Sequence, residues 1–301
     1  MAGVSPKISG DTRKHGTRIF IIWLVASIIG SSLIYFVLGP HLPPGTMTNQ
    51  ARGQQFDIKV LSTVATPVLL FVWIYMGYAT ITWRLKKGES WADGDGMYLK
   101  GNRKVQGWWY FITSATVLSL AVFGTYELIA PAGAGGGEGP SPIWKPASHH
   151  MLQVQVIAQQ WRFTYRFPQY GGMETTSLEL PNNTQIQFNV TSLDVIHDFW
   201  AYQLGVKADA NPDVNNVAYA KPDQLGRFTV RCDELCGVWH GAMYNYGTVV
   251  TPSQFNTWAT NLEKQNAAVT KLLPKYATTY TPSYTGAGGG YYPPGDPNGN
   301  L

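Results

Sequence analysis

Residues 227–243 read RFTVRCDELCGVWHGAM. Polar and apolar side chains alternate over 227–232, which is the period of a half-buried β-strand. At the end of this strand come four side chains of the kinds that hold transition metals: Cys232, Cys236, His240 and Met243. Thiolate, imidazole and thioether groups together select copper over hard cations. The stretch therefore predicts a β-domain that carries a copper-binding loop.

A second histidine, His197, lies 35 residues before Cys232. A single-copper electron-transfer centre needs two His, one Cys and a weak Met ligand, and it leaves the second Cys without a role. Two thiolates can instead bridge two copper ions, with one His on each ion. Met243 on one ion and a backbone carbonyl, that of Glu234, on the other would complete such a binuclear centre.

Two other interpretations compete with copper. Two Cys in an outward-facing domain most often form a disulfide. Two Cys with two His can also hold zinc. The two histidines beside the cysteines argue against a plain disulfide, and the thioether of Met243 argues against zinc.

Short alternating segments occur throughout the second half of the chain. Gly, Pro, Asn and Asp clusters separate them, as expected between strands. The clearest segments are 153–156, 185–191 and 227–232. Short, regularly spaced strands predict an all-β domain, a β-sandwich or a Greek-key barrel, over 151–260.

Three segments flank or close this predicted domain. A stretch rich in Gly, Pro and Ser at 131–150 predicts a linker. A helix is predicted at 252–270, with Pro252 and Ser253 in its cap region. The end of that helix and a Gly/Pro/Tyr-rich tail make up 261–301, and the tail has too much Gly and Pro for a packed core.

Charged residues make up 13% of the 301 residues, about half of what an ordinary soluble domain carries. Three apolar runs lie in the first half, at 19–39, 60–83 and 105–126. At ~1.5 Å per helical residue, each can cross a hydrocarbon layer of ~30 Å. The sequence therefore predicts three transmembrane helices followed by the β-domain.

Lys and Arg residues predict the orientation of these helices. They cluster in 1–18 and between the second and third runs, whereas the loop predicted at 40–59 carries only Arg52 and Lys59. The positive-inside rule then places 1–18 in the cytoplasm and the β-domain on the outer, periplasmic side. Because the basic residues lie beside apolar runs, they predict contact with the lipid bilayer and no nucleic acid. The first run is longer than the ~7 to 15 apolar residues of a cleaved signal, which predicts a retained helix.

Three motifs resemble those of a known family: S-x-D-V-x-H at 192–197, L-G-x-K-x-D at 204–209 and C-x-E-x-C-x3-H-x2-M at 232–243. Through them the chain resembles cytochrome c oxidase subunit II from about residue 57 to 260. The resemblance implies a membrane hairpin, here 60–83 and 105–126, followed by a cupredoxin-like domain. The helix at 19–39 is additional to that pattern.

The resemblance also implies roles for single residues. It implies a binuclear copper centre, CuA, with side-chain ligands at His197, Cys232, Cys236, His240 and Met243. Glu234 would give its carbonyl to copper and its carboxylate to a magnesium ion shared with subunit I. Trp161 would be the aromatic at which electrons arrive from cytochrome c. The implied partners are the oxidase subunits I and III and a cytochrome c.

Two departures from the family pattern alter these expectations. Gln106 stands where the family has a carboxylate at the mouth of a proton channel, and an amide cannot titrate. Arg162 and Arg166 follow Trp161, where the family usually has acidic residues. A freely diffusing, strongly basic donor is therefore disfavoured. A membrane-attached cytochrome c domain, or one held by a cytochrome bc-type complex, is the expected donor.

The sequence thus predicts subunit II of an aerobic respiratory cytochrome c oxidase in a bacterial plasma membrane. It would accept electrons at two copper ions and pass them to haem in subunit I, where oxygen is reduced to water and protons are pumped. An alternative is a membrane-tethered copper carrier or assembly factor, which would need exposed, exchangeable ligands. Two further alternatives fit less well. A metal-free cupredoxin domain of a quinol oxidase would have no use for the five candidate ligands. A nitrous oxide reductase has a similar binuclear domain but lacks the attached membrane helices.

Overall fold

The computed structural model describes residues 12–42, 45–84, 101–129, 151–212 and 214–272. Three predicted segments lie wholly or partly outside the described residues: the linker at 131–150, the first 11 residues of the segment predicted to be cytoplasmic, and the tail from 273 onward.

Three long helices form the N-terminal part. Helix α1 spans Thr12–Leu33 and continues as a π-helical segment, Ile34–Leu38, and a 3-10 turn, Gly39–His41. Helix α2 spans Asn49–Thr82, and α3 spans Arg103–Ile129. By length and composition, all three are able to cross a membrane. Together with the β-domain below, they confirm the predicted fold class.

Helix α1 packs against α2 at a proline, Pro67. Pro67 has no N–H, so the carbonyl of Thr63, one turn earlier, lacks its usual helical donor. The hydroxyl of Ser31 in α1 donates to that carbonyl at 3.2 Å, and the indole N–H of Trp23 donates to the carbonyl of Pro67 at 2.8 Å. Gly30 allows the close approach, because a Cβ there would lie 3.0 Å from Thr66. The proline thus leaves a carbonyl of α2 free to accept a hydrogen bond from α1.

Helix α2 begins 11 residues before its apolar run, so the prediction of a loop over all of 40–59 is wrong for its second half. Thr48 explains the early start. Its hydroxyl accepts a hydrogen bond from the N–H of Ala51 at 2.9 Å and donates to the carbonyl of Leu204 at 2.8 Å. Leu204 is far from Thr48 in sequence, which is why the hydropathy pattern alone places the helix start too late.

Close backbone contact strengthens this attachment of α2 to the β-domain. Ala51 is fully buried, and a Cβ on Gly205 would lie 2.7 Å from the Ala51 Cα atom. Gly205 also has a φ of +64°, which glycine adopts without strain. The side chains of Gln50 and Gln54 both donate to the carbonyl of Gly205. The first turns of α2 are therefore part of the packing of the β-domain.

Among the described residues, the β-domain has ten strands and one α-helix. In chain order these are β1 Leu152–Gln159, β2 Arg162–Phe167, β3 Met173–Thr175, β4 Leu178–Pro181, β5 Ile186–Ser192, β6 His197–Ala201, β7 Val206–Ala210, β8 Asn216–Ala220, β9 Gly226–Cys232, β10 Tyr244–Val250 and α4 Pro252–Thr270. The strands form two five-stranded sheets, ordered β3-β2-β1-β5-β8 and β4-β10-β9-β6-β7. Thr251, one residue before the predicted cap region, is the N-cap of α4.

Aromatic residues join the two sheets next to the position of His197. Phe199 of β6 contacts Phe188 of β5 and Phe163 of β2, with ring centroids 5.3 and 5.8 Å apart. All three rings are buried. Such pairs add packing energy to the apolar area they bury. The core is therefore tightly packed two residues away from the predicted metal ligand.

We expect Ser31→Ala to weaken the pairing of α1 with α2, because it leaves the Thr63 carbonyl without a donor. Hydrogen bonds between membrane helices contribute about 0.6 kcal/mol on average, so a loss of this size is expected in the free energy of unfolding in lipid bicelles. Ser32→Ala is the matched control, since Ser32 is exposed on the same helix. Equal effects of the two substitutions would show that Ser31 does not hold the helices together.

Candidate metal centre

Strand pairing brings the predicted ligands together. Strand β6 begins at His197, and β9 ends at Cys232. The two strands are antiparallel neighbours, with Phe199 opposite Cys232. The loop after Cys232 carries the remaining ligands and leads into β10 at Tyr244. His197 and Cys232 are therefore adjacent although 35 residues separate them.

The six predicted donors form one compact cluster. The two Sγ atoms of Cys232 and Cys236 lie 3.6 Å apart. Nδ1 of His197 lies 3.8 Å from the Cys232 Sγ atom, and Nδ1 of His240 lies 3.5 Å from the Cys236 Sγ atom. Two further donors complete the set: the carbonyl of Glu234, 3.2 Å from the Cys232 Sγ atom, and Sδ of Met243, 3.9 Å from the Cys236 Sγ atom. The structure brings all six predicted positions together.

The loop is closed by its own backbone. The N–H of Cys232 donates to the carbonyl of Met243 at 3.0 Å, which joins the two ends of the loop. Within the loop, His240 donates to the carbonyl of Gly237, and Met243 donates to the carbonyl of His240. Gly237 has a φ of +113°, a conformation that other residues rarely adopt. The backbone thus sets where the donor atoms lie.

Asp194 orients the first histidine. Its Oδ1 lies 2.8 Å from Nε2 of His197, so Nδ1 of the ring is directed at Cys232. The other carboxylate oxygen accepts from the backbone N–H of Gln160 at 2.7 Å. Partial burial is the largest influence on the pKa of Asp194 and raises it, but hydrogen bonds from Gln160, His197 and Val195 outweigh it and hold the pKa below its usual value. A carboxylate behind a ligating histidine is the usual way to fix its tautomer and orientation.

Trp161 touches the backbone of one candidate ligand. Its indole N–H donates to the carbonyl of Cys236 at 3.1 Å, and the side-chain amide of Gln160 donates to the same oxygen at 3.0 Å. The ring also lies against Gly237, where a Cβ would be 3.3 Å from it. Sequence reasoning singled out Trp161 but missed Gln160 and the orienting role of Asp194. The nearest signal for Asp194 was its position three residues before His197.

Both cysteines are free and buried. Their Sγ atoms are much farther apart than the ~2.05 Å of a disulfide bond. Burial is the main cause that raises the pKa of Cys236 to about 12, followed by its hydrogen bond to Cys232 and the charge of Cys232. A metal ion must therefore displace the proton of the Cys236 thiol, which makes metal binding stronger as the pH rises.

The donor set fits soft metal ions. His197, Cys232 and Cys236 have ligand atoms within 4.8 Å of one another and are all buried. Met243 is buried beside them. Two thiols and a thioether at such distances suit copper better than Mg²⁺ or Ca²⁺. The arrangement can hold a metal ion among buried side chains.

The surroundings of Trp161 differ from one expectation. Arg166 is buried rather than displayed beside Trp161, and its guanidinium lies 2.8 Å from the carboxylate of Glu174. Arg162 is exposed. The prediction that both arginines shape the docking surface is therefore wrong for Arg166, because an ion pair on β2 and β3 holds it inside the domain.

Comparison with known proteins agrees with this geometry. The family model described as "Cytochrome C oxidase subunit II, periplasmic domain" matches residues 175–250, which contain every predicted metal ligand. The "Cytochrome c oxidase subunit 2" of Thermostichus vulcanus is 27% identical over 290 residues, covering 82% of this chain and 86% of the relative.

The chain is similar to cytochrome c oxidase subunit II over residues 175–250 by the family model, and over most of its length by relatives of that name.

Another relative and a solved structure are also similar to this chain. The "Cytochrome c oxidase subunit 2" of Synechocystis sp. is 28% identical over 300 residues, covering 87% of this chain and 89% of the relative. A solved structure, the periplasmic domain of subunit II of cytochrome oxidase (CoxB) of Bradyrhizobium japonicum, is 29% identical, with a TM-score of 0.38; the match covers 40% of this chain and 97% of that one. The region that the family model matches contains the cluster at Cys232, a site that can hold a metal ion.

We expect Gln160 and Trp161 to support the ligand loop jointly. Gln160→Met or Trp161→Phe alone leaves the Cys236 carbonyl one donor and should cost about 1 kcal/mol, whereas the double variant leaves it none and should cost about 1 to 3 kcal/mol more. The measurement is hydrogen exchange at the His240 amide, which bonds to Gly237 within the loop. Gln169→Met, which removes another twice-bonded glutamine of the β-domain, should leave that exchange unchanged. If the double variant costs only the sum of the two single variants, Gln160 and Trp161 do not support the Cys236 carbonyl jointly.

Proposed function

We propose that this chain is the electron-accepting subunit of a cytochrome c oxidase in a bacterial plasma membrane. It receives single electrons outside the membrane and delivers them to haem in subunit I, where oxygen is reduced to water and protons are pumped. The observation that carries the proposal is the cluster of six donor groups around Cys232 and Cys236.

The cluster suits a pair of copper ions. The two cysteines would bridge them, and the other ligands would be His197, His240, Met243 and the carbonyl of Glu234. When bound, such a pair supplies reversible one-electron oxidation and reduction. The side chain of Glu234 is exposed, which leaves its carboxylate available for a magnesium ion shared with subunit I.

The residues of the chain keep this site rigid and dry. Asp194 holds the ring of His197, and Gln160 and Trp161 hold the carbonyl of Cys236. Both thiols are buried. A site whose ligands barely move when the charge changes transfers electrons quickly, because little of its surroundings must reorganise. Burial also argues against a copper carrier, which needs exposed and exchangeable ligands.

Electrons arrive at Trp161 in this proposal. The ring is half-buried and reaches the cluster through a single hydrogen bond to Cys236. Large apolar side chains are exposed on the loops around the cluster: Leu193, Leu235, Val238 and Trp239. Exposed apolar patches of this kind mark protein interaction surfaces. These side chains could bind the electron donor on one face of the loops and subunit I on a neighbouring face.

Proton uptake at the start of α3 needs a different group from the one in the family pattern. Asn102 caps α3, with its side-chain oxygen accepting from the N–H groups of Lys104 and Val105. Gln106 follows in the first turn and is exposed. Since an amide cannot titrate, we propose that another group or a water path supplies protons there.

The first test of the function is metal content. The purified full chain, loaded with copper, should hold two copper ions that share one unpaired electron, seen in EPR as hyperfine splitting from both nuclei. Cys236→Ser should abolish the shared signal while the β-domain stays folded, because the domain has its own apolar core. Met173→Leu, a buried methionine of β3, should leave the signal intact. One copper ion per chain would refute the binuclear centre.

The second test concerns the donor. Trp161→Ala should slow electron arrival at least tenfold with little change in the copper spectrum, because the ring contributes docking contact without being a ligand. Trp161→Phe keeps an aromatic ring at the surface but loses the hydrogen bond to the Cys236 carbonyl, so its rate should lie between those of the wild type and of Trp161→Ala. With Arg162 exposed beside the ring, turnover with a small basic cytochrome should be slow and depend only weakly on salt. Fast turnover at low salt that falls steeply as salt rises would require an acidic docking face and contradict an attached donor.

A further inference from the structure

A lysine outside the ligand set bridges the two strands that carry the first ligands. Lys207 lies on β7, in the L-G-x-K-x-D motif. Its ammonium is 2.5 Å from Oδ2 of Asp233 and 3.4 Å from Oδ2 of Asp198. Asp198 directly follows the ligand His197, and Asp233 directly follows the ligand Cys232. One cation therefore contacts the residue next to each of two candidate ligands.

The order of the strands explains why Lys207 contacts both aspartates. In the second sheet, β6 lies between β7 and β9. The side chain of Lys207 extends over Trp200 of β6, with its ammonium 5.6 Å from the ring centroid. The backbone also joins the two aspartates, because the N–H of Asp233 donates to the carbonyl of Asp198 at 3.3 Å. Two carboxylates held this close repel each other unless a cation lies between them.

Burial distinguishes this cluster from an ordinary surface ion pair. Exposed ion pairs contribute little to stability, and Lys207 is itself 51% exposed. The side chain of Asp198, however, is only 2% exposed, and its Oδ1 has no hydrogen-bond partner within the described part of the chain. A buried carboxylate that loses the cation paired with it is strongly destabilising. The contact with Lys207 is therefore needed to keep Asp198 in place beside His197.

We propose that Lys207 is a positioning residue of the metal centre. By binding Asp198 and Asp233 together, it fixes the start of β6 against the start of the ligand loop and so sets the approach of His197 to Cys232. This inference rests on the proposed function only in its last step, the effect on bound copper. The mechanical link between the two strands does not require copper.

The test compares Lys207→Met with Lys221→Met in the purified full chain. Lys221 is an exposed lysine just after β8, so both variants lose one positive charge. Without copper, Lys207→Met should speed hydrogen exchange at the Asp233 amide about tenfold, and Lys221→Met should not. With copper, Lys207→Met should still bind the metal but change the EPR hyperfine pattern and the redox potential. Lys207→Arg keeps the charge and should restore both readouts in large part.

Equal exchange and equal spectra in Lys207→Met and Lys221→Met would overturn the inference. If Lys207→Met does not fold, Asp233→Asn replaces it, because that change breaks the bridge while Lys207 still faces Asp198. Unchanged exchange at residue 233 in this variant would also overturn the inference. A failure of the proposed function looks different: the wild-type chain would not hold two copper ions, whereas the exchange effect in the metal-free chain would persist.

Discussion

The antiparallel pairing of β6 with β9 is the constraint on which the rest of the site depends. With Phe199 opposite Cys232, His197 lies next to the thiol that it must join. Side chains in a strand alternate between faces, so a slip of one residue would turn the cysteine away from the histidine. The register is held by Phe199, whose ring is packed between aromatic rings of the opposite sheet. The hydrophobic core therefore determines the metal site through one strand pair.

The ligand loop adds a second level of constraint. Its ends are tied by the hydrogen bond from Cys232 to Met243, and its middle is tied by the two donors on the Cys236 carbonyl. These bonds use backbone groups and leave the sulfur and imidazole donor atoms facing one another. A loop built this way holds its donor atoms in place through the scaffold. Asp194 adds to this, since it binds both a ligand ring and the peptide next to Trp161.

The sequence was sufficient for the fold class and for the identity of the clustered donors, because both are written in local patterns. Alternation marks the strands, apolar length marks the membrane helices, and ligand spacing marks the loop. It was insufficient where a residue's role depends on a distant partner. The early start of α2 depends on the carbonyl of Leu204, and the burial of Arg166 depends on Glu174. Polar residues such as Thr48 and Gln160 carry no pattern of their own, so only their partners show what they do.

The attachment of α2 and the positioning of the ligands meet in one short segment. Thr48 binds the carbonyl of Leu204, and Gln54 binds the carbonyl of Gly205. Two residues later, on β7, Lys207 binds the aspartates that follow His197 and Cys232. Because a Cβ at residue 205 would collide with the backbone of Ala51, the segment has little freedom to shift without moving the start of α2. The L-G-x-K-x-D motif therefore has two physical tasks, to seat the first turns of a membrane helix and to hold two ligand-bearing strands together. This gives a structural reason why a glycine and a lysine lie two residues apart in it.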